Sequence, residues 1–341
     1  MDKDLLPNTT KHTLCIVTPF TRLPRVIQEQ LPSLKIVNFP LSGVVHMPPN
    51  MDKLIDVVKE SEADIILTWP HIVVKLLQSG KCTNIKWFQG CSAGAEVLFK
   101  AFSEQPQNVI FTRTGEGFGE YMSEYVLGQI ISREHFFPKM LESQRAKRWE
   151  RTWYVQKRSL SMLTIGLLGT GVIGSKIAEV CKAFGMMVWG LSRTKKEASI
   201  PHFDVLMEKS EISKFLAGCD YVCSVLPSTT DTIGMLSGNI LQACQEKKSV
   251  FINIGRGDVI DESSLLNALN NGWIGGAIMD TTDREPLPPE SELWSHPNIV
   301  ITPHISGPCS TDVIAKVFVS NYNKYINGEP LDYLLDFERG Y

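Results

Sequence analysis

No stretch of this sequence approaches the roughly 18–20 consecutive apolar residues that a membrane-spanning helix needs. Neither sign of charge dominates: 34 Lys and Arg stand against 37 Asp and Glu, for a formal net charge of -3. That balance gives no overall attraction to nucleic acid or to an anionic lipid surface, so any basic patch must be local, as at 193–196. The eight cysteines are scattered. No C-x-x-C occurs, the nearest pair is Cys219 and Cys223, and no Cys/His group has the spacing of a zinc site, so no metal is expected. The first twelve residues are polar with two aspartates, and the last four carry no retention or peroxisomal address. With reduced thiols, these features set the expectation of a cytoplasmic protein. Short-period repeats and low-complexity tracts are also lacking.

What is there is a long alternation of β-rich and helical segments. Candidate strands fall at 14–19, 35–39, 64–69, 85–89 and 109–112, separated by stretches with apolar residues at helical spacing. This predicts a small parallel α/β sheet. A helix is predicted from about Gly119, with a break near Pro138. A second series then predicts six strands, at 163–168, 187–191, 221–226, 250–254, 277–280 and 299–302. Six strands with intervening helices match a doubly wound nucleotide-binding sheet. The amphipathic segment at 310–325 is expected to fold back onto the first domain.

Gly169, Gly171 and Gly174 form a G-x-G-x-x-G triplet within "LTIGLLGTGVIGSKIAEVCKAFG". The triplet alone is common, but here it leaves an apolar strand and opens a helix whose expected buried face is Ile173, Ile177, Val180 and Phe184. The three glycines serve a tight turn, close approach of backbone to a pyrophosphate, and close packing of helix on strand. The helix N-terminus then offers N–H groups and partial positive charge to phosphates. An acidic residue binding the ribose 2′-OH is expected about 20 residues on. This chain instead has Ser192, Arg193 and Thr194, followed by Lys195 and Lys196. A carboxylate would repel a 2′-phosphate, whereas a guanidinium grips one with paired hydrogen bonds and hydroxyls add others. NADP(H) is therefore the expected cofactor, with NAD(H) as the secondary one.

Three later strand ends each carry a reactive residue: Arg256 between two glycines, Glu285 in a proline-rich loop after Asp280, and His304 just after the last strand. Ligands of open α/β sheets bind outside the carboxyl ends of strands, which makes the three plausible neighbours.

The segments "GLLGTGVIG", "CDYVCSVLPSTTDTIGML", "INIGRGDVIDESSLLNALNNGWIGGAIMD" and "REPLPPESELWSHPNIVITPHISG" resemble the D-isomer-specific 2-hydroxyacid dehydrogenases. So do the earlier "IKWFQGCSAGAEVLF" and "GEYMSEYVL", and the likeness covers nearly the whole chain. It is strongest to the NADPH-dependent glyoxylate and hydroxypyruvate reductases of that family.

The resemblance implies two Rossmann/flavodoxin-like parallel-sheet domains with an active-site cleft between them. The substrate domain would comprise 1–118 plus 308–341, and the dinucleotide-binding domain 119–307. It implies Arg256, Glu285 and His304 as the catalytic trio, with His304 as general acid and Arg256 holding the substrate. The loop Ser92-Ala93-Gly94 would present N–H groups to the substrate carboxylate, as a backbone nest does. Here the family usually has Gly-Ala-Gly-Val, and at Thr281-Thr282 it often has Val-Phe. Trp69 would wall the pocket or belong to the core. Cofactor contacts implied by position are Gly169, Thr170, Gly171, Val172 and Ile173 at the phosphates, then Leu226 and Pro227 beside the adenosine. Ile254, Gly255, Asp280, Ser306 and Gly307 would surround the nicotinamide end.

The expected function is reduction of small 2-keto acids, glyoxylate and hydroxypyruvate first, to D-2-hydroxy acids by a homodimer. The alternative from another class is a cofactor-sensing, corepressor-like binding protein of the same fold.

Overall fold

β1 (Thr13–Thr18) is buried at all six residues, without the in–out alternation of a half-exposed strand. Such a run belongs in the middle of a parallel sheet covered on both faces. The structure, a computed structural model, describes residues 11–42, 48, 50–193 and 199–338. It divides into two compact units, Met1–Gly117 with Cys309–Tyr341, and Phe118–Pro308.

In the first unit β1 is joined by β2 (Lys35–Pro40), β3 (Ile65–Thr68), β4 (Trp87–Gly90) and β5 (Ile110–Thr112). All pairings are parallel, in the order β2-β1-β3-β4-β5. This is the flavodoxin-like order, with its switch point between β1 and β3. The intervening helices are α1 (Leu23–Gln30), α2 (Met51–Glu60), α3 (Pro70–Gln78) and α4 (Glu96–Ala101). The C-terminal helix Thr311–Asn327 packs on the same core. Its Phe318 stacks on Trp87 at 5.3 Å, and the Trp87 indole N–H donates to Thr112 Oγ1 at 2.8 Å.

The second unit opens with α5 (Gly119–Glu134) and α6 (Phe137–Arg145). The break between them falls at Phe136, which takes a left-handed φ of 57°, with Pro138 in the first turn of α6. Seven parallel strands follow: β6 (Thr164–Leu168), β7 (Met187–Ser192), β8 (Val205–Glu208), β9 (Tyr221–Ser224), β10 (Val250–Asn253), β11 (Gly276–Met279) and β12 (Ile299–Ile301). Their order is β12-β11-β10-β9-β6-β7-β8, the doubly wound arrangement reversing between β6 and β9. The helices between them are α7 (Val172–Ala183), α8 (Ile212–Gly218) and α9 (Glu262–Asn270).

Both parallel α/β sheets agree with the sequence expectation. Two details are corrected. The second sheet has seven strands, not six: β8 is a four-residue edge strand, "VLME", too short and too mixed to stand out. The buried face of α7 is Gly174, Ile177, Ala178 and Cys181; of the four expected residues Ile177 is buried, while Ile173, Val180 and Phe184 are not. Gly174 must lie against the glycine loop, which turns the helix by about one residue and leaves Phe184 half exposed.

At the amino ends of these strands, buried Glu134 accepts two hydrogen bonds from Arg158, at 2.6 and 3.0 Å, and one from the Tyr221 hydroxyl at 2.6 Å. Arg158 also reaches Asp220, whose other oxygen accepts from the Thr164 N–H and from Lys247. All eight cysteine thiols are free. No helix of the described residues is long and apolar enough to cross a membrane.

Candidate active site

The glycine triplet connects β6 to α7. Gly169 has φ 110°, which a side chain would strain. A Cβ at Gly174 would lie 2.1 Å from the Gly169 carbonyl oxygen, so helix and loop touch there through backbone alone. A Cβ at Gly171 would meet nothing within 4 Å. The space in front of Gly171 is therefore open, and the N-terminus of α7 carries no side-chain cap. Uncapped helical N–H groups behind an open cradle fit a dinucleotide pyrophosphate. Of the neighbours, Thr170 is buried against Gly190, Val172 is exposed and Ile173 half-buried.

β7 ends at Ser192. Arg193 follows, with its Nε 3.7 Å from Asp231 Oδ2 and both side chains more than half exposed. An ion pair so open to water contributes little, so it leaves Arg193 available to another anion. Thr194, Lys195 and Lys196 lie outside the described residues.

Arg256 is half-buried just beyond β10, and its Nη1 donates to the Gly255 carbonyl at 2.9 Å. Asn253 Nδ2 holds the Arg256 carbonyl at 3.0 Å. A Cβ at Gly257 would sit 1.9 Å from the Thr282 carbonyl oxygen, so this glycine lets the loop after β11 lie directly on the arginine segment. In that loop the Thr282 N–H donates to Glu285 Oε1 at 3.0 Å, and the Thr282 hydroxyl pins the Arg284 carbonyl at 2.7 Å. Glu285 Oε2 lies 2.8 Å from His304 Nδ1.

That contact sets the protonation of both partners. Burial alone would raise the Glu285 pKa, but the hydrogen bond and charge of His304 bring it below the usual value. The hydrogen bond to Glu285 raises the His304 pKa, against burial and the nearby Arg256 charge. With Nδ1–H directed at Glu285, Nε2 is the nitrogen left to carry a proton outward.

His304 has φ 55°, a left-handed conformation that costs a non-glycine residue about 1–3 kcal/mol. Asp280, at the end of β11 and only 2% exposed, holds it there. The Asp280 carbonyl accepts from the His304 N–H at 2.9 Å. Its carboxylate accepts from the Thr302 hydroxyl at 2.6 Å and from the N–H groups of Ile305 and Ser306 at 2.9 Å each. Gly307 completes the turn against Met122. Leu226 and Pro227 follow β9, and Gly255 is packed tightly on the Leu226 backbone, with Ile254 buried beside it.

In the first unit, Trp69 follows β3, is buried, and stacks on Phe20 at 5.9 Å. The loop after β4 has all four carbonyls of residues 91–94 engaged. Cys309 Sγ donates to Cys91 O at 2.9 Å and Thr114 N–H to Ser92 O at 3.2 Å. Arg113 Nη1 donates to Ala93 O at 3.0 Å, and the Ser92 hydroxyl to Gly94 O at 3.1 Å. The N–H groups of Ser92, Ala93 and Gly94 find no acceptor among the described residues. A backbone with its carbonyls tied back and its N–H groups unspent is equipped to take an anion.

Residues 127–306 match the family model of the D-isomer specific 2-hydroxyacid dehydrogenase NAD binding domain. The chain belongs to the D-isomer specific 2-hydroxyacid dehydrogenase family. It is 32% identical to glyoxylate/hydroxypyruvate reductase A of Escherichia fergusonii over 287 residues, covering 82% of this chain and 88% of that one. A D-isomer specific 2-hydroxyacid dehydrogenase family protein from Aeromonas salmonicida superposes with a TM-score of 0.85 at 33% identity, covering 96% of this chain and 100% of that one. A family dehydrogenase from Xanthobacter autotrophicus, solved with NADPH and MES, gives a TM-score of 0.80 at 27% identity, over 97% and 100% of the two chains. The protein is thus a dehydrogenase of this family, with an NAD(P)-binding domain. No observation favours the corepressor-like alternative.

The second unit brings Arg256, Glu285, His304 and Asp280 together. Sequence reasoning missed the residues that fix them: Thr302, Tyr125 on α5, and Thr282. It also missed Arg113 and Cys309 behind the 92–94 loop. The available signal was their position at strand ends or in the same short loops as the named residues.

Proposed function

We propose that this dehydrogenase reduces small 2-keto acids, glyoxylate and hydroxypyruvate first, to D-2-hydroxy acids with NADPH as the preferred cofactor and NADH as a weaker one. The observation that carries the reading is the His304–Glu285 pair beside Arg256, an imidazole whose protonated form the carboxylate favours, next to a cation suited to a keto acid. Bound nicotinamide cofactor supplies the hydride.

The chain's own residues do the rest. Gly169, Thr170, Gly171, Val172 and Ile173 hold the pyrophosphate on the N-terminus of α7. Ser192, Arg193 and Thr194 take the 2′-phosphate. Leu226, Pro227, Ile254, Gly255, Asp280, Ser306 and Gly307 line the remainder of the cofactor's path. Arg256 binds the carboxylate and carbonyl oxygens of the keto acid and stabilises negative charge as it develops on the carbonyl oxygen. His304 Nε2 donates its proton to that oxygen, while Glu285 favours the imidazolium and fixes the ring. The N–H groups of Ser92, Ala93 and Gly94 take the substrate carboxylate, and Trp69 bounds the substrate's small side chain.

The family relatives support this choice. Those of Escherichia fergusonii and Klebsiella pneumoniae are glyoxylate/hydroxypyruvate reductases, and the Xanthobacter structure holds NADPH. The test is NADPH oxidation by purified protein with a panel of small 2-keto acids. Turnover of glyoxylate and hydroxypyruvate is expected, faster with NADPH than with NADH at equal concentration. No turnover of any member with either cofactor would overturn the reading.

The same proposal places the enzyme in the cytoplasm as a homodimer. Eight unpaired thiols suit a reducing compartment. Phe137, Leu141, Trp149, Val155 and Met162 leave apolar side chains exposed along one segment of the second unit, Trp149 at 95%. Exposed apolar residues concentrated in this way suit a protein partner, here a second copy. Light scattering should give twice the chain mass, and Trp149→Ser should weaken the association.

A further inference from the structure

Tyr125 lies on α5, far in sequence from the three proposed catalytic residues. Its hydroxyl is 2.7 Å from Thr302 Oγ1. The Thr302 hydroxyl spends its hydrogen on Asp280 Oδ1 at 2.6 Å. The Thr302 oxygen must therefore accept, and the Tyr125 phenol donates. Asp280 in turn holds the N–H groups of His304, Ile305 and Ser306, through its carbonyl and its two carboxylate oxygens. α5 touches the same turn at its far end, where Met122 Cγ would be 3.1 Å from a Cβ at Gly307. A left-handed histidine is thus spanned by one carboxylate and braced from one helix.

We propose that Tyr125 and Thr302 are positioning residues for His304: the chain Tyr125–Thr302–Asp280 holds the imidazole in the conformation from which it delivers its proton. The proposal rests on the reading of His304 as general acid. Neither residue touches the reacting atoms. The Tyr125 phenol orients the Thr302 hydroxyl toward Asp280, and that bond keeps the carboxylate aimed at the two N–H groups that follow His304. A chain of hydrogen bonds with every member satisfied is rigid, and one missing member loosens the rest.

The test uses Thr302→Val, which keeps the side chain's shape and deletes the hydroxyl, with Thr302→Ser and Tyr125→Phe beside it. Thr302→Val should lower kcat for keto-acid reduction at saturating NADPH about tenfold, a larger loss than any weakening of the Kd for NADPH measured by fluorescence. Thr302→Ser should restore most of the rate, and Tyr125→Phe should lose about threefold. The groups facing His304 are Glu285, Arg256 and Asp280. As Asp280 turns away, the high-pH limb of the rate profile should shift downward in Thr302→Val. Amide hydrogen exchange at Ile305 and Ser306 should accelerate in both Thr302→Val and Tyr125→Phe, with global stability followed separately by denaturant unfolding.

Unchanged kcat and exchange in Thr302→Val, or a loss confined to NADPH binding, would overturn the proposal. If the wild-type protein reduces no keto acid, the functional reading fails on its own. Amide exchange then still decides whether Tyr125 and Thr302 hold the histidine turn.

Discussion

Glu285 Oε2 and His304 Nδ1 stand 2.8 Å apart, and each moves the other's protonation in the direction that keeps both charged. The carboxylate titrates below its ordinary value and the imidazole above its own. Reduction needs the imidazolium, which is present below the raised His304 pKa and lost as pH rises through it. Glu285→Gln keeps a hydrogen-bonding oxygen but removes the charge. The high-pH limb of kcat/KM for keto-acid reduction should therefore move to lower pH. A pH profile of initial rates checks this, and an unmoved limb would mean that His304 is not the titrating acid.

Cofactor choice is predicted to rest on the end of β7. In Ser192→Asp with Arg193→Ala, a carboxylate faces the position assigned to the 2′-phosphate and the guanidinium is gone. Losing a charge-assisted contact of about 1.5–3 kcal/mol corresponds to a tenfold to hundredfold fall in the NADPH-to-NADH efficiency ratio. Steady-state kinetics with both cofactors measures it. An unchanged ratio would exclude Ser192 and Arg193 from cofactor selection.

The glycine loop offers a contrast between two methyl groups. Gly174→Ala places its Cβ 2.1 Å from the Gly169 carbonyl oxygen, so backbone must move. About 1–3 kcal/mol of stability should be lost, together with cofactor affinity. Gly171→Ala adds a methyl that meets no protein atom within 4 Å. Its stability should stay within about 0.5 kcal/mol of wild type. Its methyl instead fills the cradle assigned to the pyrophosphate, so NADPH binding should fall at least tenfold. Denaturant unfolding and fluorescence titration separate the two effects.

Glu134 is the hub of the charge network beneath the second sheet. Glu134→Ala leaves Arg158 without its bidentate partner and the buried Tyr221 hydroxyl without an acceptor. Removing one member of a buried pair costs about 3–5 kcal/mol, and water reaching the half-exposed Arg158 places this case near 3 kcal/mol. Unfolding in urea should register the loss while the Kd for NADPH is kept, since these residues lie at the amino ends of the strands.

Much of this architecture was legible in the sequence because parallel strands buried on both faces read as unbroken apolar runs. The glycine triplet, Arg256, Glu285 and His304 stood out for the same reason, each just past the end of such a run. β8 did not, because an edge strand is half-exposed and mixes polar with apolar residues. The face of α7 was misjudged because periodicity counts apolar residues, while the true contact is made by Gly174, which has no side chain to count. Tyr125 and Thr302 were invisible for a different reason. One sits in a helix whose period reads as packing, the other between a strand and a more conspicuous histidine, and only folding brings their hydroxyls together across 177 positions.

Asp280 fastens the chain at 302 and again at 304–306, so the stretch that leaves β11 and returns through β12 is closed at its base like a loop on a clasp. Lengthening a loop whose ends are already joined costs only about 0.6 kcal/mol per doubling. The exposed Pro289-Glu290 stretch can therefore accept insertions without displacing the imidazole, provided the Thr282–Glu285 turn, the buried Leu293 and the Asn298 carbonyl that accepts from the Ala277 N–H are kept. Variation in that outer segment becomes a means of reshaping the surroundings of the site while the proton donor stays where it is.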